Sequence, residues 1–125
     1  MKICIISNSH PTNDVRLRYK LGQSLAHKAE VYVISTNGMV NSTVNPYLVV
    51  VDASSPIKAL PLLYRQAASY KPDLVVCVEP LTLLVGMTLR HKLGCKLVFD
   101  SHEFFADAHA ERSSWLLRPI VKTFY

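Results

Sequence analysis

Short apolar runs alternate along the chain with longer segments of helical periodicity. Five runs rich in β-branched residues predict strands, at 2–7, 30–35, 47–52, 73–78 and 96–100. Two of these runs are apolar nearly throughout, which is typical of strands that are covered on both faces. Helical periodicity predicts helices over 14–28, 57–70 and 81–93, and a loop over 36–46. This order predicts an α/β fold with a doubly wound parallel sheet of the Rossmann-like kind.

The first predicted helix shows how side chains sort between the sheet and the solvent. Leu17, Leu21 and Leu25 recur at four-residue spacing and form one apolar stripe, which we expect to cover the sheet. Asn13 or Asp14 is a suitable N-cap, because either side chain can accept the free amide hydrogens of the first turn. Gly22 lies near the inward face, where the missing Cβ permits a close approach of the helix to a strand.

Length and composition set further bounds. The chain has 125 residues, which predicts one domain and excludes two independent cores. Half of the residues are hydrophobic and 18% are charged, a balance typical of a folded chain rather than a disordered one. No apolar run reaches the roughly 20 residues of a membrane span. The N-terminus lacks the charged start and apolar core of a signal peptide, so we expect a cytoplasmic protein.

The charge balance and the cysteines say little about chemistry by themselves. The net charge of +5 favours anionic partners, but the basic residues are scattered, so we expect no nucleic-acid partner. Cys4, Cys77 and Cys95 lack CxxC spacing and lie in or beside apolar runs. They predict reduced thiols in the core.

Candidate chemistry gathers where predicted strands end, because open α/β sheets bind ligands beyond the carboxyl ends of their strands. Candidate polar residues follow three of the predicted strands. They are His10, Asp14 and Arg16 after the first strand, Glu79 after the fourth, and Asp100, His102 and Glu103 after the fifth. Imidazole and carboxylate groups can hold a polyhydroxylated ligand and move protons. Each also has a structural interpretation, as a helix cap, a turn residue or a solvated surface side chain, and both interpretations stay open here.

Several chemistries are excluded by missing motifs. The first loop has no glycine, so neither a GxGxxG dinucleotide site nor a phosphate-binding P-loop can form there. There is no DxD pair, no GxSxG nucleophile elbow, and no second histidine to make His102-Glu103 part of HExxH. We therefore expect no metal and no cofactor.

Three stretches together resemble the N-terminal half of GT-B glycosyltransferases of family 4, the glycosyl transferases group 1 type. They are HPTNDVRLRYKLGQSLA at 10–26, KPDLVVCVEPLTLLVG at 71–86 and KLVFDSHEFF at 96–105. The family pattern HPxxDxRxxxKxxxSL is matched by His10, Pro11, Asp14, Arg16, Lys20, Ser24 and Leu25. The Asp-x-His-Glu motif after the fifth strand is matched by Asp100, His102 and Glu103.

The resemblance implies an acceptor-binding domain that faces a nucleotide-sugar domain across a cleft. It implies a catalytic role for His102 as an orienting hydrogen-bond donor. It further implies substrate binding by His10, Asp14, Arg16, Glu79 and Glu103. It also implies that the chain is truncated and inactive alone, since the donor domain with its EX7E carboxylates lies outside the 125 residues.

The chain departs from the family after strands one and four. His10-Pro11 stands where many members have paired glycines, and Val78-Glu79-Pro80 stands where relatives have His-Asp-Pro. Alternative interpretations are the non-catalytic half of a two-subunit glycosyltransferase, a GT-B-fold nucleotide-sugar epimerase, and a flavodoxin-like binding domain.

Expected partners are a nucleotide-sugar donor, bound through the missing domain, and a carbohydrate or lipid-linked acceptor. We also consider a peripheral membrane contact and self-association through the apolar C-terminal segment at 114–125.

Overall fold

The computed structural model describes residues 1–100, which form an α/β domain around one parallel sheet. Its five strands are β1 (Lys2–Ile6), β2 (Glu30–Ser35), β3 (Tyr47–Val50), β4 (Leu74–Cys77) and β5 (Lys96–Phe99). They lie in the order β3-β2-β1-β4-β5, and every neighbouring pair is parallel. The chain thus winds outward from β1 to β3 and then crosses back to build the other half. This is the predicted doubly wound, Rossmann-like arrangement, and the prediction is confirmed.

Helices cover both faces of the sheet. A π-helical segment (Val15–Gly22) continues into α1 (Gln23–Ala26) and covers one face, while α2 (Pro56–Tyr70) and α3 (Pro80–Leu93) pack on the other. Successive side chains of β1 point to opposite faces, so Cys4 and Ile6 join the core under α2 and α3. Ile3 and Ile5 join the core under the first helix. The central strand is therefore buried on both sides, as its unbroken apolar sequence predicted.

The first helix starts as expected but winds differently. Asp14 caps it, with its Oδ1 accepting hydrogen bonds from the backbone N of Arg16 at 2.9 Å and of Leu17 at 3.4 Å. The turns that follow are wider than those of the α-helix that the leucine spacing predicted.

Gly22 corrects a detail of the sequence interpretation. A Cβ at this position would lie 2.8 Å from the carbonyl oxygen of Leu17 and 3.2 Å from the ring of Pro46. The close approach that this glycine permits is therefore to the loop between β2 and β3, and not to a strand. Asn45 fixes the same loop, because its side chain donates to the carbonyl of Ala29 at 2.8 Å.

All three cysteines are buried, as predicted. Burial raises the pKa of the Cys4 thiol and of the Cys77 thiol to about 12, and it also raises the pKa of Cys95. Within residues 1–100, no helix is long and apolar enough to cross a bilayer.

Candidate functional site

The buried polar side chains of the described residues all lie at one end of the sheet. They are Ser7, Asn8 and Thr12 in the loop after β1, Ser35 at the end of β2, Glu79 after β4, and Thr82 in the first turn of α3. These are the carboxyl ends of parallel strands, where doubly wound folds bind ligands. Buried polar groups are costly unless they find partners, so these side chains must bond to neighbouring groups, and this end of the sheet is the candidate site.

Glu79 lies at the centre of this group and is only 8% exposed. Its Oε1 accepts hydrogen bonds from Ser7 Oγ at 2.5 Å and from Ser9 Oγ at 2.8 Å. Its Oε2 accepts from the backbone N of Asn8 at 3.2 Å. The carboxylate thereby accepts hydrogen bonds from three protein donors in place of water, and it lies beside the positive end of a helix.

The local sequence explains why Glu79 takes this position. Glu79 is the N-cap residue of α3, and Pro80 follows at the first helical position, where its missing N–H costs nothing. Thr82 Oγ1 accepts from the backbone N of Glu79 at 3.2 Å and donates to its carbonyl at 2.8 Å. The backbone is thus fixed by Thr82, and the carboxylate faces the loop after β1.

The loop after β1 is held in turn by the loop after β2. Thr12 donates through its backbone N to the carbonyl of Asn37 at 3.0 Å and through its Oγ1 to the carbonyl of Met39 at 2.5 Å. Ser35 Oγ donates to the carbonyl of His10. Gly38 allows this fit, because its φ is 110° and a Cβ there would fall 2.6 Å from Thr12 Oγ1. Two loops therefore form one packed support.

His10 lies on this support between two carboxylates. Its Nδ1 is 3.9 Å from Asp14 Oδ2, and its Nε2 is 3.8 Å from Glu79 Oε1. Its backbone N donates to Ser7 Oγ at 2.9 Å, which fixes the start of the side chain. The ring is half-buried, so a ligand can still reach it. A protonated ring is attracted by both carboxylates, and a neutral ring can exchange hydrogen bonds with a hydroxyl.

Arg16 links the first helix to the fifth strand. Its guanidinium lies 2.7 Å from Asp100 Oδ1, and both side chains are partly buried. Asp100 directly follows β5, so this ion pair brings the end of a third strand to the same edge of the sheet. The contact disagrees with the interpretation of Arg16 as a merely solvated surface residue.

The structure thus brings four of the six predicted site residues together at the carboxyl ends of the strands: His10, Asp14, Arg16 and Glu79. His102 and Glu103 lie outside the described residues. Sequence reasoning did not assign the supporting hydroxyls to the site. The sequence does place serines at two strand ends, since Ser7 directly follows β1 and Ser35 is the last residue of β2. That pattern could have indicated the hydroxyls.

The arrangement offers hydrogen-bond partners rather than a nucleophile or a metal cage. Residues 1–100 contain no group of three or more His, Cys, Asp or Glu side chains placed to hold a metal ion. Carboxylates accept hydrogen bonds from hydroxyls, while an imidazole and a guanidinium can donate to them. Comparison of the chain with known protein families, with curated proteins and with solved structures found no match.

Proposed function

We propose that this chain is the acceptor-side part of a GT-B glycosyltransferase, which transfers a sugar from a nucleotide-sugar donor to an acceptor hydroxyl. The observation that carries the proposal is the cluster of His10, Asp14 and Glu79 with the Arg16–Asp100 pair at the carboxyl ends of the strands. His10, Asp14 and Arg16 belong to the HPxxDxR motif, and Asp100 belongs to the motif after the fifth strand, on which the family resemblance rests. Sequence motif and spatial cluster therefore coincide.

In this proposal the site positions the acceptor and supplies no covalent catalyst. Asp14 presents a partly exposed carboxylate that can accept a hydrogen bond from a sugar hydroxyl, and the His10 ring beside it can bond to a neighbouring hydroxyl. Glu79 is largely committed to its own donors, so its role is to place His10 and the loop after β1. Holding a hydroxyl in line with the reacting carbon lowers the barrier without a dedicated nucleophile.

Asp100 lies in the site, and His102 follows it by two residues. The proposal assigns to His102 the role of a hydrogen-bond donor beside the donor sugar and the acceptor hydroxyl, and to Glu103 a substrate contact. The nucleotide part of the donor is assigned to a domain outside these 125 residues. The isolated chain is therefore expected to bind an acceptor and not to turn over.

A nuclear magnetic resonance titration of the isolated chain with a panel of methyl glycosides tests this assignment. We expect shifts confined to the amides of 7–16, 79 and 100, and about a tenfold weaker response in His10→Ala and Asp14→Asn. His27→Ala, which removes an exposed histidine at the far end of the first helix, is the matched control. Shifts spread evenly over the surface, or equal losses in the control, would contradict the proposal.

Calorimetry with UDP-glucose separates this proposal from its alternatives. The acceptor-side assignment predicts weak binding or none, whereas micromolar affinity would contradict it and favour a nucleotide-sugar epimerase or a self-contained donor site. When the chain is combined with a donor-binding domain, His102→Ala is expected to abolish most transfer and to leave the fold intact. Near wild-type turnover of that variant would count against the assignment of His102.

A further inference from the structure

The outer surface of α2 and α3 is unusually apolar for a surface that faces solvent. Ile57 is 70% exposed and Leu84 is 55% exposed, and Leu81 and Met87 are exposed as well. Leu81, Leu84 and Met87 recur every three residues on α3, so they share one side of the helix. The opposite side of α3 carries the buried residues that pack on the sheet, such as Leu89. Both sides of this helix are therefore apolar.

A shallow groove between the two helices extends this surface. It has a volume of about 240 Å³ and is lined by Leu60, Pro61, Tyr64, Leu84, Val85 and Thr88. The groove joins Leu84 on α3 to the neighbouring turns of α2. We call the groove together with Ile57, Leu81 and Met87 the α2–α3 surface. Scattered single apolar residues are normal on protein surfaces, but a contiguous patch indicates a binding surface.

The charged side chains within α2 and α3 all have one sign. Neither α2 nor α3 contains an Asp or Glu, whereas together they carry Lys58, Arg65, Arg90 and Lys92, all exposed. On a helical projection, Lys58 and Arg65 lie on the solvent side of α2, and Arg90 and Lys92 lie in the last turn of α3. The apolar area thus has a basic rim.

We propose that the α2–α3 surface docks on the interface of an anionic lipid bilayer. Leu81, Leu84 and Met87 would enter the boundary between headgroups and acyl chains, which accepts exposed apolar side chains. The four cations would lie at the level of the lipid phosphates, where each contributes attraction to an anionic surface. The complete absence of acidic residues from both helices favours this partner, because a carboxylate would be repelled there. The inference does not depend on sugar transfer.

Co-sedimentation of the 125-residue chain with vesicles tests the proposal. Phosphatidylcholine vesicles that contain phosphatidylglycerol should bind the chain, and vesicles of phosphatidylcholine alone should bind it much more weakly. Changing two rim cations together, Lys58→Gln and Arg65→Gln, should lower the partition coefficient about thirtyfold. The matched control changes two exposed lysines, Lys20→Gln in the first helix and Lys28→Gln just after it, and should have a clearly smaller effect.

A second pair of variants tests the apolar part of the surface. Leu81→Gln with Leu84→Gln should lower binding to the anionic vesicles at least about tenfold, since two apolar side chains no longer leave water. Val40→Gln with Val44→Gln, which changes two strongly exposed valines elsewhere, should leave binding close to wild type. Circular dichroism of each variant checks that the fold is retained, as expected for exposed positions.

Three outcomes would overturn the proposal. One is the absence of binding to the anionic vesicles, and another is equal loss in the test and control pairs. The third is self-association of the chain in sedimentation velocity that Leu81→Gln with Leu84→Gln abolishes, since that result would assign the surface to a second copy of the chain.

Discussion

The two ends of the parallel sheet are fastened in different ways. At the amino ends, the backbone joins neighbouring strands: Asp73 N donates to the carbonyl of Lys2 at 2.8 Å, and Lys96 N donates to the carbonyl of Asp73 at 3.0 Å. Two side chains add to this: Asp73 Oδ2 accepts from the backbone N of Lys2 at 2.8 Å in an exposed position, and Asn45 Oδ1 accepts from the backbone N of Val31 at 2.9 Å. At the carboxyl ends, buried hydroxyls and a buried carboxylate join the loops.

This difference separates what folding requires from what a site requires. The side chains that add to the amino ends, Asp73 and Asn45, bond there to backbone groups. Replacing either one therefore leaves no second side chain without its partner, and we expect that end to tolerate substitution. Ser7, Glu79 and Thr82 at the carboxyl end each depend on the others, because a buried polar group that loses its partner is costly. A buried carboxylate often adds no more stability than a well-packed apolar side chain would. The proposed ligand site lies at this carboxyl end.

The largest expected effect comes from removing the central carboxylate. Glu79→Ala leaves Ser7 Oγ and the backbone N of Asn8 without their acceptor, so we expect a loss of about 2–4 kcal/mol in the free energy of unfolding. Asp73→Ala at the amino end removes an exposed acceptor and should cost less than about 1 kcal/mol. Urea denaturation measures both values.

Glu79→Gln is the control for charge, because it keeps one carbonyl acceptor of nearly the same shape. It should recover about half of the loss seen in Glu79→Ala, since the amide can satisfy only some of the three donors. Equal costs for Glu79→Ala and Asp73→Ala would remove the contrast between the two ends of the sheet.

The sequence was sufficient for the architecture and for the location of the candidate site. All five strands were predicted to within a few residues, because β-branched apolar runs between amphipathic segments leave few other folds. The cap at Asp14 and the start of α3 near Pro80 were predictable from local chemistry that involves neighbouring residues only.

What the sequence did not predict depends on contacts between distant segments. Ser7 and Glu79 are 72 residues apart, and neither residue type alone indicates that the two share a hydrogen bond. The π-helical turns of Val15–Gly22 could not be predicted, because leucines spaced by four residues fit an α-helix as well as a π-helix. The pairing of Arg16 with Asp100 was missed because an arginine in a first turn is usually solvated.

Gly86 tests whether the placement of α3 supports the carboxyl end specifically. A Cβ at this position would lie 2.5 Å from Cys77 Sγ and 2.5 Å from Leu97 Cδ1, so in Gly86→Ala either these two side chains or the helix must shift. We expect a loss of about 1–3 kcal/mol in the free energy of unfolding. Because Glu79 is the N-cap of α3 and bonds to the loop after β1, amide shifts of 7–10 should change while those near Lys2 stay constant. Equal changes at both ends would show that α3 supports the whole sheet evenly.

The buried thiol of Cys4, in the central strand of the sheet, makes the free energy of unfolding depend on pH. The pKa of Cys4 rises to about 12 on folding, from an ordinary value near 9, because burial disfavours the thiolate. The unfolded chain therefore releases this proton first as the pH rises. The contribution of Cys4 to the free energy of unfolding is thus constant below about pH 9 and falls above it. The slope contributed by Cys4 should be about 1.4 kcal/mol per pH unit.

Urea denaturation of the wild type and of Cys4→Ala, under reducing conditions at several pH values, isolates this slope. Lysine and tyrosine titrations are common to both proteins and cancel in the difference between them. The stability gap should narrow as the pH rises above about 9. A gap that stays constant up to about pH 11 would contradict burial as the cause of the raised pKa.

The smallest stability effect is expected at the outer part of the carboxyl end. Arg16 and Asp100 form a partly exposed ion pair, so Arg16→Gln should cost less than about 1 kcal/mol, and the cost should shrink further in high salt. The same substitution should weaken binding of the sugar acceptor about tenfold. It removes the guanidinium from the cluster, and the Asp100 carboxylate, no longer paired with Arg16, then repels hydrogen-bond acceptors of the ligand. Lys20→Gln, also in the family motif but exposed, should change neither quantity. The carboxyl end would then have two layers, an inner one around Glu79 that maintains the fold and an outer one that meets the ligand. A loss of stability in Arg16→Gln as large as that in Glu79→Ala would merge these layers and assign the ion pair to the fold instead.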